Sequence, residues 1–585
     1  METHPTNAEK RDEARIGLIT LISVGIGFGA GLIAFVIYHL IGLLTNLFYY
    51  QRISFIFATP DHNSLGLFVV LMPIVGGLVA GLMIKYGSTK IIGHGIPEAM
   101  ESILMSNSKI EPKVGVLKAL SAAFTIGSGQ PFGAEGPIIQ TGGAFGSFIG
   151  QLVSTTGSER RIMLACGAAA GMAATFGTPI AAILLVVELL LFEFRVKSLV
   201  PVGVSSAIGA WMHIYLISSR PLFATPTLSF GGIQDLPYYV ILGLICGVAG
   251  TVLSRGLYKT EDVFKKIKIV QPWSPAVGGL IVGIFGFFVP QILGVGYDVI
   301  LNVLETQYVI QVVALILIAK AVSWLLAMGS QTSGGTLAPL FLVGASVGSL
   351  YGSAIGFLFH ASALVPGVFA MAAMGAVFGT ASRAPFTSIL FVLEVTQQFQ
   401  GAIPVIVTVV IAELVGEYLM EDSIMTEKLT RRGLRVRHIY EYNPLRQTRV
   451  SNLMSKPLVS VESKERAVDV FKRLNTPDSE LWNKRRLIVL KEGKAVGYVD
   501  RDMLFQAASQ ADSDLTVEKI LSDHLETISQ DELAYEAQKR MVLNGVPFLL
   551  VVDKLGKPVG YISRGDLLAA QKRKIIDESV VEKRT

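Results

Sequence analysis

Long apolar stretches broken by glycine and proline set the pattern of the first 420 residues. The first runs from Ile16 to about Tyr50, too long for a signal-peptide core, and predicts a retained, tilted spanning helix. Further apolar segments fall near 66–85, 114–126, 138–153, 161–175, 178–193, 199–217, 238–256, 273–295, 309–328, 338–358, 364–380, 384–396 and 402–420. Many are shorter than the roughly 20 residues of a full span. Short segments punctuated by Gly and Pro predict half-helices that end inside the membrane, tolerated only where they face protein or a polar cavity. Near Glu421 the pattern gives way to short apolar runs among charges, which marks a change of solvent from lipid to water.

Composition agrees. Hydrophobic residues make up 51% of the 585 and charged residues only 16%, against about 25% charged in a soluble domain. More than half of the Lys, Arg, Asp and Glu lie after residue 420. A net charge of +5 is small for this length and argues against a nucleic-acid partner. Cys166 and Cys246 both fall in apolar segments, so no disulfide framework is implied. Lys428, Arg431, Arg432, Arg435 and Arg437 directly follow the last apolar segment. By the positive-inside rule that end is cytoplasmic, and the chain is expected to be a multi-pass protein of the cell inner membrane with both termini in the cytoplasm.

The membrane part repeats itself. GTPIAAILLVVELL (177–190) resembles RAPFTSILFVLEVT (383–396), with Pro179 and Pro385 each followed nine positions on by Glu188 and Glu394. GAEGPIIQTGGAFGS has a looser counterpart in SGGTLAPLFLVGASVGS (333–349). Such repeats predict two halves of inverted topology with the ion site at their interface.

Three segments, GHGIPEAM (93–100), GAEGPIIQ (133–140) and GGTLAPL (334–340), place small residues before Pro or an apolar helix, the sequence form of a helix start. Unpaired N–H groups and the positive dipole end make such starts anion sites without a full countercharge, which suits an ion that must bind and leave. Singly, each stretch fits close helix packing. Three together, one carrying Glu135 at membrane depth where a carboxylate is costly, point to anion permeation with an acidic gate.

In order and spacing these segments resemble the GSGIP, GKEGP and GxFxP signatures of the CLC family of chloride channels and proton-coupled chloride antiporters. DSIMTEKLTRRG (422–433) is similar to the segment that ends its membrane domain. The resemblance implies an all-α multi-pass membrane domain with inverted internal repeats over 16–433, preceded by a polar segment at 1–15. It further implies a homodimer with one pore per subunit, chloride and protons as partners, and no enzyme activity. Carried over, Glu135 is the gating residue, whose carboxylate occupies an anion site when ionised and swings away when protonated or displaced by chloride. The implied anion-binding set is His94, Gly95, Ile96, Gly133, Ala134, Gly136, Thr336, Leu337 and Met425, mostly through backbone amides.

Departures from the family pattern bear on mechanism. His94 stands where the family has serine and Met425 where it has tyrosine, so two hydroxyl donors to the anion are missing. Either a ring N–H of His94 replaces one donor or the ring merely caps a helix, while Met425 is an apolar lining residue. The family's exchangers commonly carry an internal glutamate that passes protons, and its position here is Leu189. Glu188 and Glu193 remain as weak proton-pathway candidates; the plainer reading of Glu193 is a solvated helix end beside Arg195 and Lys197. Anion conduction with proton-dependent gating, or weak coupling, is therefore expected, with proton-coupled antiport as the alternative.

After a polar and basic linker at 434–449, residues 450–508 and 514–572 repeat one another, followed by a tail at 573–585. Each unit reads as helix, short strand, helix, two apolar strands and helix. That order resembles a cytoplasmic α/β pair of CBS (cystathionine beta-synthase) domains, which implies an adenine nucleotide as a regulatory ligand. Ser563 and Asp566 of GYISRGDLL then stand at the hydroxyl and ribose-carboxylate positions. GYVDRDML has Asp500 and Met503 there, so one site is intact, and a dimer-supporting role without ligand is the competing reading. With no Gly-rich phosphate loop, neither hydrolysis nor a required cofactor is expected. A CBS-containing cation transporter would need oxygen ligands clustered in its pore, whereas the acids here are scattered. A membrane-anchored nucleotide sensor would need neither half-helices nor a buried Glu135.

Overall fold

A computed structural model describes residues 7–579 apart from 268, 360–364, 435–444, 446–447, 457, 483–485, 510–513, 524 and 554–555, with burial known for side chains between 15 and 572. Arg435, Arg437, most of the 434–449 linker and the end of the tail lie outside the described residues. Two compact units part at Glu441/Tyr442.

The first unit is helical. Its first half holds α1 (Asn7–Tyr50), α2 (Leu71–Tyr86), α3 (Ile96–Met105), α4 (Pro112–Gly127), α5 (Glu135–Leu152), α6 (Gly157–Phe176), α7 (Pro179–Val186) and α8 (Val196–Leu216). Its second half holds α9 (Leu236–Ile267), α10 (Trp273–Phe288), α11 (Tyr297–Leu304), α12 (Ile310–Gly329), α13 (Leu337–Phe359), α14 (Pro366–Ser382), α15 (Pro385–Thr396) and α16 (Ala402–Leu419), followed by the short α17 (Glu427–Arg431). The second eight follow the first eight in order, long where they are long and short where they are short, and these are the two halves that the sequence repeats predict. Among the described residues, seven helical stretches are long and apolar enough to cross a membrane: Arg15–Tyr50, Gly66–Tyr86, Val196–Leu216, Ile233–Ile267, Ile310–Gly329, Leu337–Phe359 and Phe399–Leu419. The apolar Pro179–Leu191, Trp273–Phe288, Pro366–Ser382 and Pro385–Thr396 are too short.

Position follows composition. Leu21 and Leu32 of α1 and Ile403, Leu414 and Tyr418 of α16 are exposed, as lipid-facing side chains are. α6 and α14, rich in Ala and Gly, are buried almost throughout and form the centre of each half, because small residues let neighbouring backbones approach from every side. The prolines that open α7 and α15, and the glutamates nine positions after them, have a reciprocal use. Each proline opens its helix, and each glutamate caps the helix of the other half. Glu394 accepts from the N–H groups of Ile180 (3.0 Å) and Ala181 (2.8 Å). Glu188 accepts from the N–H groups of Phe386 (3.1 Å) and Thr387 (2.8 Å) and from the Thr387 hydroxyl.

The second unit contains two small sheets of the same order. In the first, β1 (Ser460–Glu462) runs parallel to β2 (Arg486–Lys491), which pairs antiparallel with β3 (Lys494–Asp500). In the second, β4 (Thr527–Ser529), β5 (Phe548–Val552) and β6 (Pro558–Ser563) repeat the arrangement. Ile488, Phe548 and Leu550 pack with Tyr498 and Tyr561 where the sheets meet. The opening segments are exchanged: Val450 lies in the core of the later repeat and Val517 in that of the earlier one. The repeats expected at 450–508 and 514–572 would thus each lend their first turn to the other.

Candidate functional site

The three glycine segments meet. Gly93 N–H donates to Thr332 O (2.8 Å) and Gly334 N–H to Gly93 O (3.3 Å), while Gly133 and Gly335 exchange two backbone bonds of 3.1 and 2.8 Å. The starts of α3, α5 and α13 are thereby laced into one buried junction. His94, Gly95, Ile96, Gly133, Ala134, Gly136, Thr336, Leu337 and Met425 are all buried in this region of the fold. Pro97, Pro137 and Pro339 stand in the first turns, where a missing N–H costs no helical bond and the remaining amides stay unpaired within the helix. Glycine at 136 is required: a Cβ there would strike the carbonyl of His94.

Glu135, only 1% exposed, occupies the junction. Its Oε1 accepts the hydroxyl of Tyr297 (3.1 Å), and its Oε2 has no hydrogen-bond partner among the described residues. The carboxylate folds back over Gly133 and Gly335, where any side chain would displace it. Tyr297, the side chain hydrogen-bonded to Glu135, is the residue of this junction that the sequence reading missed. It opens α11, a helix too short to register as an apolar segment, after Gly296 in a left-handed conformation. The signal was present as an internal repeat: ILGVGY (292–297) parallels IIGHGI (91–96).

The same repeat carries a buried lysine in each half. Lys118 on α4 donates to the carbonyls of Ile91 (2.9 Å) and Gly93 (2.5 Å). Lys320 on α12 donates to those of Ile292 (2.9 Å), Gly294 (2.9 Å) and Val295 (3.5 Å). Both side chains are fully buried, and each fixes the peptide planes of the loop that leads into a helix start. Beside Lys118, the Gly95 N–H is capped by Glu98 (3.1 Å), which is ion-paired to Lys428; Lys428 also reaches Ile92 O (3.1 Å). Part of the basic cluster after the last membrane helix is thus tied to the loop before α3.

His94 bears on the choice between donor and cap that the sequence leaves open. Its Nε2 lies 3.2 Å from Ile424 O, a carbonyl that also accepts the Tyr258 hydroxyl (2.7 Å). A carbonyl only accepts, so Nε2 carries the proton; in the neutral ring Nδ1, buried and without a partner, then has a lone pair and no hydrogen to offer an anion. A neutral His94 does not replace the missing hydroxyl donor. Met425 is fully buried in the apolar core.

The proton-pathway candidates are engaged. Glu188 caps α15, and Leu189 is fully buried within a π-helical turn at Val187–Leu191. Glu193 is not at a solvated helix end: it is 6% exposed, accepts the Ser198 hydroxyl (2.7 Å) and lies 3.2 Å from Arg161 and 3.7 Å from Arg195. The turn at Phe192, in the left-handed region, returns it to protein.

In the second unit Asp566 lies in the first turn of α18 (Arg564–Ser579). Its Oδ2 accepts the N–H (2.8 Å) and hydroxyl (2.6 Å) of Ser563, and its Oδ1 accepts the Ser455 hydroxyl (3.2 Å). In the earlier repeat Asp500, at the position of Ser563, accepts from the Met503 N–H (2.9 Å), as Ser563 Oγ accepts from the Asp566 N–H (3.3 Å). Ser563 and Asp566 are therefore brought together, with a third hydroxyl from the exchanged opening segment.

Comparison with known proteins agrees with the fold. The family model described as voltage gated chloride channel matches residues 76–417, and the CBS domain model matches 517–573. The H(+)/Cl(-) exchange transporter ClcA of Salmonella agona (strain SL483) is 29% identical over 436 residues, 72% of this chain and 90% of that protein. Among solved structures, a eukaryotic CLC transporter aligns with TM-score 0.63 at 19% identity over 94% of this chain and 97% of its own. A slow cyanobacterial Cl-/H+ antiporter aligns with TM-score 0.61 at 23% identity over 74% and 99%. With the family model spanning more than half of its length over the laced helix starts, this chain belongs to the CLC family of membrane proteins and carries a C-terminal CBS pair.

Proposed function

We propose that this chain moves chloride across a membrane between the starts of α3, α5 and α13, with Glu135 as the gate. The observation that carries the reading is a buried carboxylate lying over the paired backbones of Gly133 and Gly335, where two helix starts meet. Unpaired first-turn amides and converging dipoles favour a small anion there. The ionised carboxylate is itself such an anion and competes with chloride; protonation or displacement frees the site. The amides and carbonyls at Gly95, Ile96, Ala134, Gly136, Thr336 and Leu337 line the remaining path. His94 contributes when protonated, since only the imidazolium adds an N–H at Nδ1.

Conduction with proton-dependent gating is the first reading, because Leu189 is apolar and Glu188 and Glu193 are committed to a helix cap and an ion pair. Coupled exchange is the second, favoured by relatives named as H(+)/Cl(-) exchange transporters. Reconstitution in liposomes with simultaneous chloride and proton detection separates them. Chloride flux without proton movement is expected for conduction, and protons driven uphill by a chloride gradient for exchange. Flux of a divalent cation in place of chloride overturns both.

The pore is completed in each subunit of a homodimer, with both termini cytoplasmic and the CBS pair as a regulatory adenine-nucleotide site. At that site the Asp566 carboxylate, paired with Ser563 at the start of α18, accepts the ribose hydroxyls. Asp566→Ala in the full-length chain is expected to weaken ATP binding at least about tenfold by calorimetry. Unchanged affinity would place any nucleotide elsewhere.

A further inference from the structure

We propose that the phenolic hydroxyl of Tyr297 is a side-chain ligand of the permeating anion at the point that Glu135 vacates. The proposal rests on the reading above, that a small anion passes between these helix starts. Tyr297 is 9% exposed, and among the described residues its hydroxyl has a single hydrogen-bond partner, the Glu135 carboxylate. When the carboxylate leaves, a buried donor loses its acceptor, which is costly unless another acceptor arrives. The group entering that place is an anion, with the same charge and accepting character as the oxygen it replaces.

The tyrosine cannot follow the departing carboxylate. Its ring lies 6.2 Å from that of Phe57 and 6.1 Å from those of Phe176 and Phe223, measured between centroids. Its backbone opens α11 behind a loop that Lys320 holds by the carbonyls of Ile292 and Gly294. The hydroxyl is thus a fixed donor facing a movable acceptor. The inner end offers no equivalent: Met425 has no donor, and the only N–H of a neutral His94 is spent on Ile424 O. Side-chain hydrogen bonding to the anion is therefore concentrated at the outer side of the junction. A hydroxyl donor there favours chloride over larger, weaker acceptors such as iodide.

Tyr297→Phe keeps the ring and its packing and removes only the donor. In a Glu135→Gln background, where no charged gate competes, the added change is expected to weaken chloride binding by about tenfold in calorimetry. It should also narrow the preference for chloride over iodide in flux, with the thermal midpoint in detergent unchanged. If Glu135→Gln with and without Tyr297→Phe binds chloride equally and shows the same halide preference, the hydroxyl meets only the carboxylate or water and the proposal falls. If Glu135→Gln alone binds no chloride, the underlying reading of the site fails instead, whatever Tyr297 does.

Discussion

Glu135→Gln is expected to make chloride flux insensitive to external pH. In the parent protein the ionised carboxylate sits over the Gly133–Gly335 junction, and a single proton removes its charge. The sign follows from linkage: in the proposed gate the open form is the protonated one, so raising pH is expected to close the path. For a one-proton gate, flux falls by up to about tenfold per pH unit on the alkaline side. Glutamine has the same shape and still accepts from Tyr297, but a neutral acceptor is held less tightly than a charged one. Flux should therefore be high and flat across the pH series, and any uphill proton movement seen in the parent should vanish. Liposome efflux measured from acid to alkaline external buffer checks this; a parent-like slope in the variant would remove Glu135 from the gate.

Much of this site was legible because its chemistry is written in local motifs. Gly before an apolar helix and Pro in its first turn is a backbone instruction, and GHGIP, GAEGP and GGTLAP converged as three such starts do. The Pro and Glu repeat of α7 and α15 was legible as symmetry, but not as reciprocal capping, since one helix's cap comes from some 200 positions away. α11 escaped for a different reason. Eight residues carry too little apolar surface to stand out, and its first residue matters through one hydroxyl rather than a pattern. His94 shows the limit of residue-type reasoning: the ring was identified, but its donor or acceptor character depends on the Ile424 carbonyl, 330 positions away in sequence.

The buried lysines carry the second large expected effect. Lys320 places one nitrogen among three carbonyls, and three donors are what an ammonium has and a neutral amine lacks. Lys320→Met retains most of the apolar stem but leaves the carbonyls of Ile292 and Gly294 buried without a partner. A charged donor contributes about 1.5–3 kcal/mol per bond, offset in part because no charge is buried in the variant. A net loss of roughly 3 kcal/mol is expected, read as a lower unfolding midpoint in detergent, and Lys118→Met should cost less, because Gly93 O keeps the Gly334 N–H while only Ile91 O loses its donor. The two should differ in function. Lys320 anchors the loop that leads into Tyr297, so its loss should disturb the outer donor, and Lys320→Met with Tyr297→Phe should weaken chloride binding by less than the sum of the single effects. Lys118 anchors the loop carrying His94 and Gly95, so Lys118→Met and Tyr297→Phe should add. If both pairs are additive, the lysines support the fold alone and the two loops do not set the geometry of the path.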